Sequence, residues 1–218
     1  GVILTSGKPP IELAKQYLRL RIPVAMINRA PDLKGVDVVN SDHFEGGALA
    51  ARKLLSGGAR NLVFLDAPTA TFSARRRGEG FTASLAPMAQ AGRITWRTVQ
   101  TGAATYATGF AAAQTLFADP KQRPDGIFCV NDVLACGLVD GTRQLPNLHV
   151  PQACQIVGFD DIPMAGLSAF SLTTVHQDVD ALARSAVNCL TERMLNPGMP
   201  ARTLQIPVKL VVRSTSPD

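Results

Sequence analysis

No apolar run in this sequence approaches the ~20 residues that a helix needs to cross a bilayer, and Gly1-Val2-Ile3-Leu4 carries neither the basic start nor the cleavage pattern of a secretory signal. No membrane association is expected, and the chain reads as a fragment that opens directly on a strand-like stretch. Cysteine is scarce and unpatterned. Cys129, Cys136, Cys154 and Cys189 form no C-x-x-C pair and have no histidine beside them, which argues against structural zinc. Cys129 lies in an apolar strand run and Cys136 and Cys189 in helical patterns, the usage of buried, reduced thiols in a cytoplasmic protein. A Gly-rich phosphate loop, a G-x-S-x-G elbow and an H-E-x-x-H pair are all missing, and His43, His149 and His176 have no nucleophile at a recognisable spacing. We therefore expect no cofactor, no metal and no enzymatic activity. Concentrated charge is lacking too: the net charge of +5 is spread over the chain apart from the run Arg75-Arg76-Arg77, a pattern of solvated surface rather than of a nucleic-acid face.

What is present is a core. Hydrophobic residues make up 46% of the 218 and charged residues 18%, enough to bury one large or two small domains. Short runs rich in Val, Ile and Leu alternate with amphipathic helical stretches, the order of βαβ units on a parallel sheet. Strands are expected at Val2 to Thr5, Val24 to Ile27, Val36 to Val39, Leu62 to Leu65, Thr95 to Val99, Gly126 to Val130, Gln155 to Phe159 and Thr173 to Val175, and as one closing strand from Leu204 to Val212. Between them, Phe44, Ala48, Ala51 and Leu55 share a helical face after a cap at Asp42 with Glu45 three residues on; Gly57-Gly58 ends that helix. Tyr106, Phe110, Ala113 and Phe117 repeat the spacing, as do Leu182, Ala186, Leu190 and Met194, and both stripes are expected to be core.

In an open parallel sheet, ligands bind beyond the carboxyl ends of the strands, so the residue after each strand carries the most information. Here Asn131 follows Ile127 to Val130, Asp160 follows Ile156 to Phe159, and Gln177 follows Thr173 to His176. Three parallel strands would set these side chains on one rim. Each also has a structural alternative, since Asn131 or Asp132 can cap the next helix and Asp160-Asp161 can cap a turn before Pro163. Asp160 and Asp161 are expected to point apart.

Taken in order, Asn131-Asp132-x-x-Ala135-x-Gly137, Val157-Gly158-Phe159-Asp160-Asp161 and Leu172-Thr173-Thr174-Val175-x-Gln177, with the stretches Val39 to Leu55, Phe72 to Leu85, Thr105 to Phe117 and Leu210 to Ser216, closely resemble the effector-binding core of the LacI/GalR family of transcriptional regulators. The resemblance covers nearly the whole chain. It implies an α/β fold of two lobes, each a parallel sheet flanked by helices, of the periplasmic binding protein-like type I. Residues 1–58 and 178–206 would form an N-terminal lobe that is incomplete, and residues 59–177 and 207–218 a C-terminal lobe. The DNA-binding headpiece of such regulators, and the two βα units that would precede Gly1 to Ser6, are absent from these residues.

By the same resemblance the effector sits in the interlobe cleft. Asp160 corresponds to the acid that accepts bonds from ligand hydroxyls, Asn131 to an amide that donates and accepts, and Arg77 to a guanidinium that grips ring or carboxylate oxygens. Ser73 corresponds to a contact in the loop of Arg77, and Gln177 to one at a lobe crossing. Such groups suit a sugar, sugar acid or related polyol. Where sugar-binding members stack an aromatic on the ring, this chain has Ala103-Ala104, so Tyr106 or Phe72 would have to substitute. Glu45 corresponds to a cleft-facing acid in some members, beside its capping role. The implied partners are a small effector, a second copy in a homodimer, and operator DNA reached through the headpiece. A periplasmic sugar-binding protein of a transport system is the alternative with the same fold.

Overall fold

The computed structural model describes residues 1–5, 11–30, 33–68 and 71–216; residues 6–10 and 31–32 of the expected N-terminal lobe, and 69–70 and 217–218 of the expected C-terminal lobe, lie outside them. In chain order the elements are β1 (Val2–Leu4), α1 (Ile11–Arg19), β2 (Val24–Ile27), β3 (Asp37–Ser41), α2 (His43–Ser56), β4 (Asn61–Asp66), α3 (Phe72–Gln90), β5 (Thr95–Gln100), α4 (Tyr106–Leu116), β6 (Gly126–Cys129), α5 (Asp132–Arg143), β7 (Gln155–Asp160), a 3-10 turn (Pro163–Gly166), β8 (Thr173–Gln177), α6 (Val179–Leu195), β9 (Thr203–Ile206) and β10 (Val208–Val211). Contacts divide the chain into one unit of Gly1–Asp42, Thr71–Ser73 and Asp178–Pro207, and a second of His43–Ala70, Ala74–Gln177 and Val208–Asp218.

The first unit is built on the parallel sheet β1-β2-β3-β9. Alternation along the strands sends Leu4, Val24, Met26 and Val38 to α1, where Ala14 is buried, and sends Val39 to Leu182, Ala186 and Cys189 of α6. Helix α6 is pinned to β3 by Asp37, which is 0% exposed and receives Arg193 Nε and Nη2 at 2.8 Å each and the Arg202 amide at 2.9 Å. Burial pulls the Asp37 carboxyl up, but the bonds from Arg193 and Arg202 outweigh it and hold the group below its ordinary value.

The second unit carries the sheet β10-β8-β7-β6-β4-β5, parallel except for β10. Its central strands read as unbroken apolar runs because both faces are covered; Phe64, Phe81 and Phe128 meet beneath α3 with ring centroids 5.3 to 5.9 Å apart.

Four expectations are corrected. Helix α2 belongs to the second unit, not to the first as the 1–58 boundary had it, because it packs on β6, β7, β8 and β10; the chain first crosses at Asp42–His43. The closing strand is two strands, broken at Pro207, which has no N–H for a ladder: β9 pairs with β3 and β10 with β8. On α4 the buried face is Gly109, Ala113 and Leu116, and Phe110 is 39% exposed. The cause is a backbone-to-backbone approach to α5: a Cβ on Gly137 would lie 2.0 Å from the Tyr106 carbonyl oxygen. On α6 the inward stripe is Leu182, Ala186, Cys189 and Arg193, turned by the Asp37 pair so that Met194 is 55% exposed.

Candidate functional site

Strands β6, β7 and β8 are neighbours and parallel, so Asn131, Asp160 and Gln177 leave the same end of the second unit's sheet. Helix α3 brings Arg77 over that rim. Its position is set by a tight approach of α2: a Cβ on Gly47 would fall 1.9 Å from the Arg77 carbonyl oxygen, so only glycine lets the helices meet there.

The Arg77 guanidinium is the hub. Nη2 donates to Asp160 Oδ1 at 3.0 Å, Nη1 donates to the Val130 carbonyl at 2.6 Å, and Nε makes a long contact of 3.4 Å to His43 Nδ1. Its Cζ lies 3.5 Å from the centroid of the Phe159 ring, a cation–π seat. Gln177 donates its amide to the same Asp160 Oδ1 at 2.7 Å. Arg77, Asp160 and Gln177 are thus joined directly. Burial lowers the Arg77 pKa, against the pull of Asp160, Asp132 and Asp66; burial likewise raises that of Asp160, against Arg77 and Gln177. Both partners are pushed toward their neutral forms, because desolvation outweighs their attraction.

Asn131 reaches this group through its neighbour Val130, while its own side chain caps α5: Oδ1 accepts from the Leu134 amide at 2.9 Å and Nδ2 donates to the Ala104 carbonyl at 3.3 Å. The capping alternative is what the structure displays, and each amide atom keeps capacity for one more bond. Ser73 is not joined to these residues. It lies four positions before Arg77 on α3 but groups with the first unit, where its hydroxyl donates to the Asn28 carbonyl at 3.4 Å. The Tyr106 hydroxyl donates to Asp140 on α5. Glu45 pairs with Arg52 along α2.

Asp160 and Asp161 do diverge, but not by strand alternation. Both take left-handed backbone, with φ of 120° and 59°, so the chain turns sharply out of β7. Asp161 then accepts from Arg213 Nη2 at 2.7 Å and bonds His176 Nδ1 at 2.9 Å.

Four residues that the sequence did not assign to the site act on its groups. His43, 2% exposed and against Phe159, has its pKa driven down to about 2 by burial and by the charges of Arg77 and Arg76; it stays neutral and can accept from Arg77. Phe159 seats the guanidinium. Asp66 ends β4, and burial raises its carboxyl; the polar-residue-after-a-strand rule applied to Asn61 to Asp66 would have found it. Asp132 is fully buried under the rim. Among the described residues no three His, Cys, Asp or Glu side chains group as metal ligands, and no helix is long and apolar enough to cross a membrane.

Residues 51–216 match the periplasmic binding protein-like domain family. The chain is 30% identical over 210 residues, 96% of its length, to the ribose operon repressor of Escherichia coli K12, and spans 62% of that relative. Among solved structures, a LacI transcriptional regulator from a Rhodococcus species is similar at a TM-score of 0.85 and 29% identity, with 99% of this chain and 77% of that one covered. A LacI family regulator from Enterococcus faecalis V583, solved with bound ribose, superposes at a TM-score of 0.86 with 24% identity, covering 99% and 76%, a likeness of fold.

Proposed function

The chain belongs to the periplasmic binding protein-like family, in its LacI/GalR group, and from that premise we propose that it is the effector-sensing part of a DNA-binding transcriptional regulator, taking up a small sugar, sugar acid or polyol. The observation that carries this reading is the meeting of guanidinium, carboxylate and amide from α3, β7 and β8 at the carboxyl ends of parallel strands. Adjacent hydroxyls of a polyol each donate and accept, so one molecule can bond Asp160 as donor and Arg77, Gln177 and Asn131 as partners. Ser73 is a further proposed contact. No catalysis is assigned, and the protein is read as cytoplasmic, in keeping with relatives named as repressors rather than as transport proteins.

Operator DNA would be reached through a headpiece outside these residues, with two copies of the chain presenting two headpieces to two half-sites. An effector that prefers one arrangement of the two units by ~1–3 kcal/mol changes operator affinity ~5–150-fold.

The test is calorimetry on ligands picked by a thermal-shift screen of sugars, sugar acids and polyols, with D-ribose first because a relative is a ribose operon repressor. Asp160→Ala is expected to weaken binding by about 2 kcal/mol or more, since it strips the ligand of a charged acceptor. Unchanged affinity would remove Asp160 from the site.

A further inference from the structure

The corner that aims Asp160 is unfavourable by itself. Left-handed backbone at two successive non-glycine residues is unfavourable at each, and Asp160 and Asp161 both adopt it. Something must hold it. Beneath the corner lies Asp132, the first residue of α5, whose side chain is wholly removed from solvent. Its Oδ2 accepts the Ile162 amide at 3.0 Å, and its Oδ1 accepts the Thr174 hydroxyl at 2.5 Å. A Cβ on Gly158 would come 2.2 Å from Asp132 Oδ1, so β7 carries glycine where the carboxylate passes. One carboxylate therefore ties the residues after Asp160 to β8, three positions before Gln177.

We infer that Asp132 is a positioning residue for the site: it never faces the ligand, but fixes the Asp160–Asp161 corner so that Asp160 meets Arg77 and Gln177 while Asp161 turns to His176 and Arg213. Its burial carries a penalty, with the carboxyl pushed up to about 6 by desolvation against the bonds from Thr174 and Ile162. A side chain serving only to fill space there would do so at less cost as an apolar residue. The role of the corner in affinity rests on the effector reading above; the geometry of the corner does not.

Two readouts on the whole chain separate the ideas. Amide exchange is measured at Ile162, together with the NMR resonance of the Arg77 Nε–H, in the wild type, in Asp132→Asn and, should that variant not fold, in Thr174→Val; D-ribose affinity is measured in parallel. Loss of one acceptor bond is expected to speed exchange at the corner by about tenfold, and to shift the Arg77 signal, while amides within β6 and β7 stay protected. Where ribose binds the wild type, its affinity should fall about tenfold with little change in Tm. An Ile162 amide and an Arg77 signal that do not respond, or exchange that rises evenly through β6, β7 and β8, would overturn the positioning role. A wild type that ignores ribose counts against the effector reading alone, and the exchange result still decides on Asp132.

Discussion

Arg77 carries N–H donors on all three guanidinium nitrogens, and burial cuts them off from water. Under α3 its charge is nearly out of solvent, with a side-chain exposure of 8%, and it is satisfied by Asp160, the Val130 carbonyl, His43 and the Phe159 face together. His43 completes this shell only as a neutral ring, which gives a prediction. Its imidazole signals should not titrate between pH 8 and pH 5, whereas a midpoint near the ordinary value would show that the ring is not buried beside the guanidinium. A folded pKa held below the unfolded one adds stability above about pH 6.5 that is lost as the pH falls toward the folded value. In Arg77→Met one repelling charge is gone, so the midpoint rises, while burial keeps it under the ordinary value. Arg77, Asp160 and Gln177 were legible in the sequence because a polar residue after an apolar strand stands out and the family pattern names the arginine. His43 was not: its role comes from its packing on Phe159 across α2 and β7, which no local spacing encodes.

Elements meet the rim through backbone contacts that composition alone does not announce. The α2–α3 approach at Gly47 leaves no room for one methyl group. Gly47→Ala should therefore push α3 outward, costing about 3 kcal/mol or more as overpacking against main chain, and should weaken effector binding because Arg77 moves with the helix. Chemical denaturation and calorimetry on the same sample check both; an alanine variant of wild-type stability would contradict the packing described. The alternation of strand and helix was readable because period 2 and period 3.6 differ strongly. Helix faces were read less well. On α4 the periodicity of large residues pointed at Phe110, yet glycine and alanine face the partner, since a close crossing is made by what is small. Pro207 lay inside the closing run and marked its division into β9 and β10, a breaker signal that the apolar pattern around it concealed.

At the scale of the whole chain, the fold class followed from the order of elements and the family from three motifs in sequence, while the boundary between units did not. Helix α2 has an apolar stripe that would suit either sheet, and only its packing on β6, β7, β8 and β10 assigns it. The proposed function requires Asp160 and Arg77 to be a receptor for hydroxyls and not simply an internal ion pair. The most direct measurement is a crystal structure of these 218 residues with the tightest ligand of the polyol screen, at a resolution that places each hydroxyl. Ligand oxygens within hydrogen-bonding reach, about 3.2 Å or less, of both Asp160 and Arg77 are the predicted result; a ligand bound elsewhere, with the Arg77–Asp160 pair untouched, would contradict it.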